Sequence, residues 1–143
     1  NTAVGAVTRL RDMGVEPYQL SSSLVGLMAQ RLVRTLCKHC KEPYEASIVE
    51  REQLALDPKQ PLTLYRPVGC AHCRHTGFLG RSGIHEIIEV DRQFETLIHD
   101  QASEQVMEEY ARSRGPGILQ SGRNKVIAGH TTLREVLRVT IEE

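Results

Sequence analysis

Tryptophan is absent from this 143-residue chain and phenylalanine occurs only twice, so aromatic platforms on which nucleic-acid bases stack are scarce. An excess of one charge is missing as well. Eighteen basic residues balance eighteen acidic ones, which argues against a dedicated nucleic-acid surface, although a local basic patch can sit inside a neutral total. No apolar run approaches the roughly 20 residues needed to cross a bilayer, so no transmembrane segment is expected, and no signal peptide is evident. The phosphate-binding pattern G-x-x-x-x-G-K-[ST] occurs nowhere. The chain opens on Asn1 rather than methionine, with a helical pattern at once, and reads as a piece of a longer protein.

Cysteine is scarce too, but its placement is informative. The four cysteines form two matching clips, Cys37-Lys38-His39-Cys40 and Cys70-Ala71-His72-Cys73. A C-x-x-C turn aims two sulfurs at one point, and two such turns supply the four thiolates of a tetrahedral zinc ion. Two structural disulfides are arithmetically possible, yet nothing else suggests an oxidising compartment. Two separate redox pairs in so short a chain would be unusual. His39, His72 and His75 lie within or beside the clips, so a site of three cysteines and one histidine stays open. Against it, the middle residues of such turns usually face solvent and four sulfurs already complete the shell. Zinc with four thiolates carries a formal charge of about −2. Lys38, Lys41, Arg66 and Arg74 are placed in sequence to offset it, or are ordinary solvated surface.

Hydrophobic periodicity supplies a coarse map. Apolar residues at 3, 6, 7, 10 and 13 make one helical stripe, with Gly14 as its stop. A second helix is expected from Pro17, carrying Leu20, Leu24, Leu27 and Met28, followed by a short strand over 31–36. Between the clips, Ser47 and Glu50 form a capping-box pattern opening a helix to about Leu56, and 62–65 reads as a strand. This insert has few apolar residues, so loss of metal is expected to loosen 37–80 more than the flanking helices. Glycines 77, 80 and 83 mark turns before a strand over 84–90. The remainder is helical: starts are expected at Asp91 and Ser103, a break at Gly115-Pro116-Gly117, a helix over about 118–128, and a last helix opened by a Thr132–Glu135 capping box.

The residues alone support a zinc-stapled α/β chain. Three stretches carry a family resemblance: the opening Asn1-Thr2-Ala3, the run Ser21-Ser22-Ser23-Leu24-Val25-Gly26-Leu27-Met28-Ala29-Gln30-Arg31-Leu32-Val33-Arg34-Thr35-Leu36-Cys37, and Gly80-Arg81-Ser82-Gly83-Ile84-His85-Glu86. With A-Q-R-L-V-R directly before one clip and G-R-x-G-I-H-E after the other, the chain resembles the C-terminal part of the bacterial type II secretion ATPases. These are the general secretion pathway protein E family, relatives of the type IV pilus assembly ATPases. The opening wording resembles the secretion branch more than the pilus branch.

The resemblance implies a hexameric cytoplasmic P-loop ATPase, peripheral at the inner membrane, which uses ATP and Mg to drive pseudopilus assembly and protein export. Its expected partners are further copies of itself and inner-membrane secretion-platform proteins, with no nucleic acid. The phosphate loop, acidic magnesium boxes and histidine box of that family would precede Asn1, so this chain alone is expected to be inactive. The implied fold is α/β: the tail of a RecA-like core (1–36), a tetracysteine zinc insert (37–80), and a strand plus helical C-terminal subdomain (81–143).

Residue by residue, Cys37, Cys40, Cys70 and Cys73 match the family's zinc ligands. Arg9, off the apolar stripe, is a candidate nucleotide contact or a plain surface arginine. Arg31 and Arg34 are expected to be structural ion-pair partners or to lie near a subunit seam, the structural role being favoured. Arg81, between Gly80 and Gly83 on an expected turn, is a candidate contact to another subunit or, equally, solvated surface. His85-Glu86 lacks the second histidine of a zinc protease. The competing reading is a zinc-ribbon binding module for nucleic acid or protein with no motor activity.

Overall fold

Four helix starts fall where a side chain can satisfy the orphan N–H groups of a first turn. Asp91 accepts from the Phe94 N–H at 2.8 Å, Ser103 from Val106 at 3.2 Å, and Thr132 from Glu135 at 3.2 Å. Ser47 and Glu50 bond reciprocally at 3.1 and 3.0 Å, closing the expected capping box. In the computed structural model, which describes residues 2–141, these starts belong to a mixed α/β chain. Its helices are α1 (Gly5–Asp12), α2 (Pro17–Ser23), α3 (Ile48–Gln53), α4 (Arg92–His99), α5 (Glu104–Arg114), α6 (Ile118–Ile127) and α7 (Leu133–Thr140). Its strands are β1 (Gly26–Leu36), β2 (Glu42–Glu45), β3 (Thr63–Arg66) and β4 (Phe78–Glu89). Among the described residues, no helix is long and apolar enough to cross a membrane.

The strands form two two-stranded sheets, β1 with β4 and β2 with β3. The chain divides into two compact units, one of Asn1–Gln30 with His85–Gly117, the other of Arg31–Ile84 with Ile118–Glu143. In the first, α2 packs on α4, and Val4, Val7, Leu20, Phe94, Ile98 and Met107 are buried together. Tyr110 donates to Asp91 at 2.5 Å, tying α5 to the start of α4. In the second, α6 packs on α7, and its core joins Val33 and Ile84 to Val126, Leu133 and Val136.

Several sequence expectations are corrected. The second helix stops at Ser23, and Leu27 and Met28 lie in β1. Leu24 is already extended (φ −73°, ψ 128°); β-branched Val25 and then Gly26 disfavour another helical turn, and β4 offers a strand partner. As the two-residue period of a strand requires, Leu27 is buried while its neighbour Met28 is exposed. β4 begins at Phe78, not Ile84. Its glycines thin the side-chain packing without ending the strand, and Gly80 takes φ 80° inside it. Arg81 therefore sits in a strand rather than on a turn, and is exposed.

The insert is also better anchored than its composition suggests. Ala46, Leu54 and Leu64 are buried in the same core as Val126 and Val136. Thr132 caps α7 as expected, but the Glu135 carboxylate does not reach back to close a box. It accepts from Arg34 Nε and Nη2 at 3.0 and 2.8 Å, from the Arg34 backbone N–H at 3.0 Å, and from Arg138 Nη2 at 3.0 Å. Two guanidiniums outcompete one backbone N–H because charge-assisted bonds are about twice as strong. Arg34 is thus an ion-pair partner, as expected of it.

Candidate metal centre

Both ladders converge on the cysteines. Cys37 directly follows the last residue of β1, and its N–H donates to the Gly77 carbonyl, at the approach to β4, at 3.0 Å. The β2–β3 pair runs antiparallel, with Glu42 opposite Arg66 and Glu45 opposite Thr63. It holds Cys40, two residues before β2, near Cys70, four residues after β3. A short 3₁₀ turn over Ala71–Cys73 completes the second clip.

The four sulfurs lie within 4.8 Å of one another. Cys37 to Cys70, Cys40 to Cys73 and Cys70 to Cys73 are each separated by 3.8 Å. A disulfide would require about 2.05 Å, and all four thiols are free. Four sulfurs at about 2.3 Å from one ion stand about 3.8 Å apart along each edge of a tetrahedron. The donor set therefore fits a tetrahedral thiophilic ion, and the cluster can hold a metal. Four sulfurs fill a tetrahedral shell and leave no position for substrate, which is the pattern of a structural site.

Backbone donors surround the sulfurs. The Gly69 N–H points at Cys40 Sγ (3.3 Å), and the Cys70 and Gly77 N–H groups point at Cys73 Sγ (3.2 Å each). Two glycines make this possible. Gly69 has φ 113° and Gly77 φ 83°, and a Cβ on Gly77 would stand 2.4 Å from Pro67 Cβ. Burial pushes both thiols up, but with different outcomes. Cys40 rises to about 11, whereas the N–H groups of Cys70 and Gly77, with hydrogen bonds from the Cys40 and Cys70 side chains, overcome burial and bring Cys73 down to about 6. The fold thus favours a thiolate at Cys73, the protonation state a metal ligand needs.

The histidines do not join the sulfurs. Among the described residues, the four cysteines are the one group of three or more such ligands close enough to share an ion. His39 and His72 instead stack on each other with ring centroids 3.8 Å apart. Two cations expected to offset the cluster charge are engaged elsewhere. Lys41 donates to the Gly129 carbonyl at 2.9 Å and lies over the Tyr65 ring, and Arg66 lies over Tyr44. Arg9 is exposed on α1, and Arg81 is exposed on β4. Sequence reasoning missed the Gly69 and Gly77 donors, although a glycine one residue before Cys70 and another four after Cys73 were the available signal. It also missed Glu135, whose position in an apparent capping box hid its pairing with a distant arginine.

Comparison with known proteins gives matches along almost the whole chain. The family described as "Type II/IV secretion system protein" matches residues 1–138. The chain is 56% identical over 142 residues to the type II secretion system ATPase E of Vibrio cholerae, covering 99% of this chain and 28% of that protein. It is 53% identical over 143 residues to the type II secretion system protein E of Pseudomonas aeruginosa, and 47% identical over 143 residues to that of Aeromonas hydrophila. Each of these two alignments covers 100% of this chain and 28% of the relative, so the chain spans under a third of the length of the relatives it matches. With its cysteine cluster inside a match that runs nearly end to end, the chain belongs to the type II/IV secretion system protein family.

Proposed function

We propose that this chain is the C-terminal part of an ATP-hydrolysing motor that powers pseudopilus assembly and protein export by a type II secretion system. The carrying observation is 56% identity across nearly the whole chain to a protein named as a type II secretion system ATPase. In this reading the full-length protein is a hexamer at the cytoplasmic face of the inner membrane, engaging secretion-platform proteins there. Residues 1–36 are the tail of a RecA-like core, 37–80 a zinc insert, and 81–143 the C-terminal subdomain. The groups that cradle the ATP phosphates and hold Mg lie elsewhere in the full-length protein, because no phosphate loop occurs in this sequence. Zinc, held by Cys37, Cys40, Cys70 and Cys73, fills a structural role. The 3.8 Å sulfur separations support that ligand set.

Arg9 contacts nucleotide phosphate and Arg81 contacts a neighbouring subunit; exposure of both side chains supports these roles. The test is turnover by the full-length protein alongside this chain alone. Mg-ATP hydrolysis by the former and none by the latter is expected. Arg9→Ala should lower turnover at least roughly tenfold, about 1.4 kcal/mol of barrier, with zinc content unchanged. Turnover by this chain alone, or micromolar nucleotide affinity measured on it by calorimetry, would overturn the assignment.

A further inference from the structure

Neutral overall charge conceals a basic cleft. In the second unit, a cavity of about 1050 Å³ is lined by residues that include four arginines (34, 66, 134 and 138), two glutamates (50 and 135) and three aromatics (Tyr44, Tyr65 and Phe78). The arginines outnumber the carboxylates by two. Both carboxylates are already engaged: Glu135 by Arg34 and Arg138, and Glu50 by the Tyr44 hydroxyl at 2.5 Å and the Ser47 N–H at 3.0 Å. Glu135 is almost wholly buried, at 3% side-chain exposure, whereas Arg34 and Arg138 remain 52% and 57% exposed. One carboxylate therefore fixes two guanidiniums from within while their outer edges face water.

Three of the arginines are also held in place. Arg34 lies 4.2 Å over the Phe78 ring centroid and Arg66 lies 4.4 Å over Tyr44. Arg138 is bonded through both Nε and Nη2 to Glu135. A guanidinium fixed before binding loses little side-chain freedom when it captures a carboxylate, and its planar fork suits that partner. Beside this charge lie apolar groups from Pro67, Leu133, Leu137 and Ile141, the last of them 65% exposed. A bare inorganic anion would use the arginines and leave this apolar lining unmatched.

We infer that this cleft is a docking site for an acidic, extended peptide segment of a partner protein, in which carboxylate side chains meet Arg66, Arg134, Arg34 and Arg138 while an intervening aliphatic residue packs on Leu137 and Ile141. Charge complementarity and the mixed lining select this occupant. The site is separate from the cysteine cluster and needs no nucleotide.

The test uses fluorescence anisotropy on the zinc-loaded chain with a short labelled peptide of alternating glutamate and leucine. Saturable binding that weakens with salt is expected, with at least a tenfold loss in Arg66→Glu and in Arg134→Glu. Both residues are exposed, so these variants should keep their fold and metal. Arg92→Glu, exposed at the start of α4 and outside the cleft, should bind as the unaltered chain does. Equal binding of a lysine–leucine peptide, equal loss in Arg92→Glu, or no loss in either cleft variant would overturn the proposal. So would stronger capture by vesicles of anionic phospholipid or by single-stranded DNA, since each would make the cleft a general polyanion surface.

Discussion

Glu135 shows how one buried carboxylate can organise a surface. Burial by itself would raise its pKa, but hydrogen bonds from Arg138 and Arg34 and the Arg34 charge bring it down to about 2. The folded value lies below the unfolded value of about 4.3. The stabilisation is therefore fully present above about pH 4.3 and is lost as pH falls towards about 2. It is worth at most about 3 kcal/mol, reduced by the exposure of both arginines. Glu135→Gln should flatten the pH dependence of stability across that window, measured by urea denaturation at several pH values, and should lower stability near neutrality by about 1–3 kcal/mol. An unchanged acid limb would mean that another group controls it.

Gly77 acts at the same scale. Its positive φ and its closeness to Pro67 leave no room for a Cβ. Gly77→Ala should displace the N–H that Cys73 Sγ accepts and weaken zinc binding at least roughly tenfold, in line with other losses of groups that orient metal ligands. Competition with a chromogenic chelator measures this directly, and unaltered affinity would make the contact incidental.

Among the elements, α6 and α7 meet closely at Gly122, where an added Cβ would lie 2.3 Å from Val136 Cγ1. Two effects oppose each other in Gly122→Ala. Alanine gains up to about 1 kcal/mol of helix propensity, while overpacking a buried, stiff β-branched neighbour costs about 1–3 kcal/mol. Because Val136 is fully buried, the clash should win. A net loss of about 1–2 kcal/mol in urea unfolding is expected, and a stabilised variant would show that the helices can slide apart freely. At this scale the sequence was largely legible. Helix starts at Asp91, Ser103 and Thr132 follow from local chemistry, since the capping side chain and its N–H are three residues apart. The end of α2 and the early start of β4 were not legible, because strand pairing joins residues about 40 to 65 apart in sequence, from the Cys37–Gly77 bond to the Val25–Val90 bond.

In the molecule as a whole, metal loss should spread beyond the insert. The core that contains Leu54 and Leu64 also contains Val126, Leu133 and Val136. The other core, around Phe94, Ile98 and Met107, includes no residue from 31–84. Chelation followed by hydrogen exchange should therefore expose 37–80 together with α6 and α7, while α4 and α5 keep their protection. Exchange confined to 37–80 would restore the simpler view of a self-contained insert. Uniform exchange throughout would instead make the metal a requirement for the entire chain.

What the sequence determined by itself was chemistry of short range and strong type. Two C-x-x-C clips announced four convergent sulfurs, caps announced helix starts, and a few contiguous motifs carried the family. Each of these depends on residues within a few positions of one another, so no knowledge of the fold was needed. The tertiary structure alone decided that Glu135 would leave its own helix start for Arg34, that Lys41 and Arg66 would stack on tyrosines, and that four arginines would line one cleft in a chain of zero net charge. The reason is physical: a charged side chain takes the strongest partner within reach, and folding determines which partners are within reach.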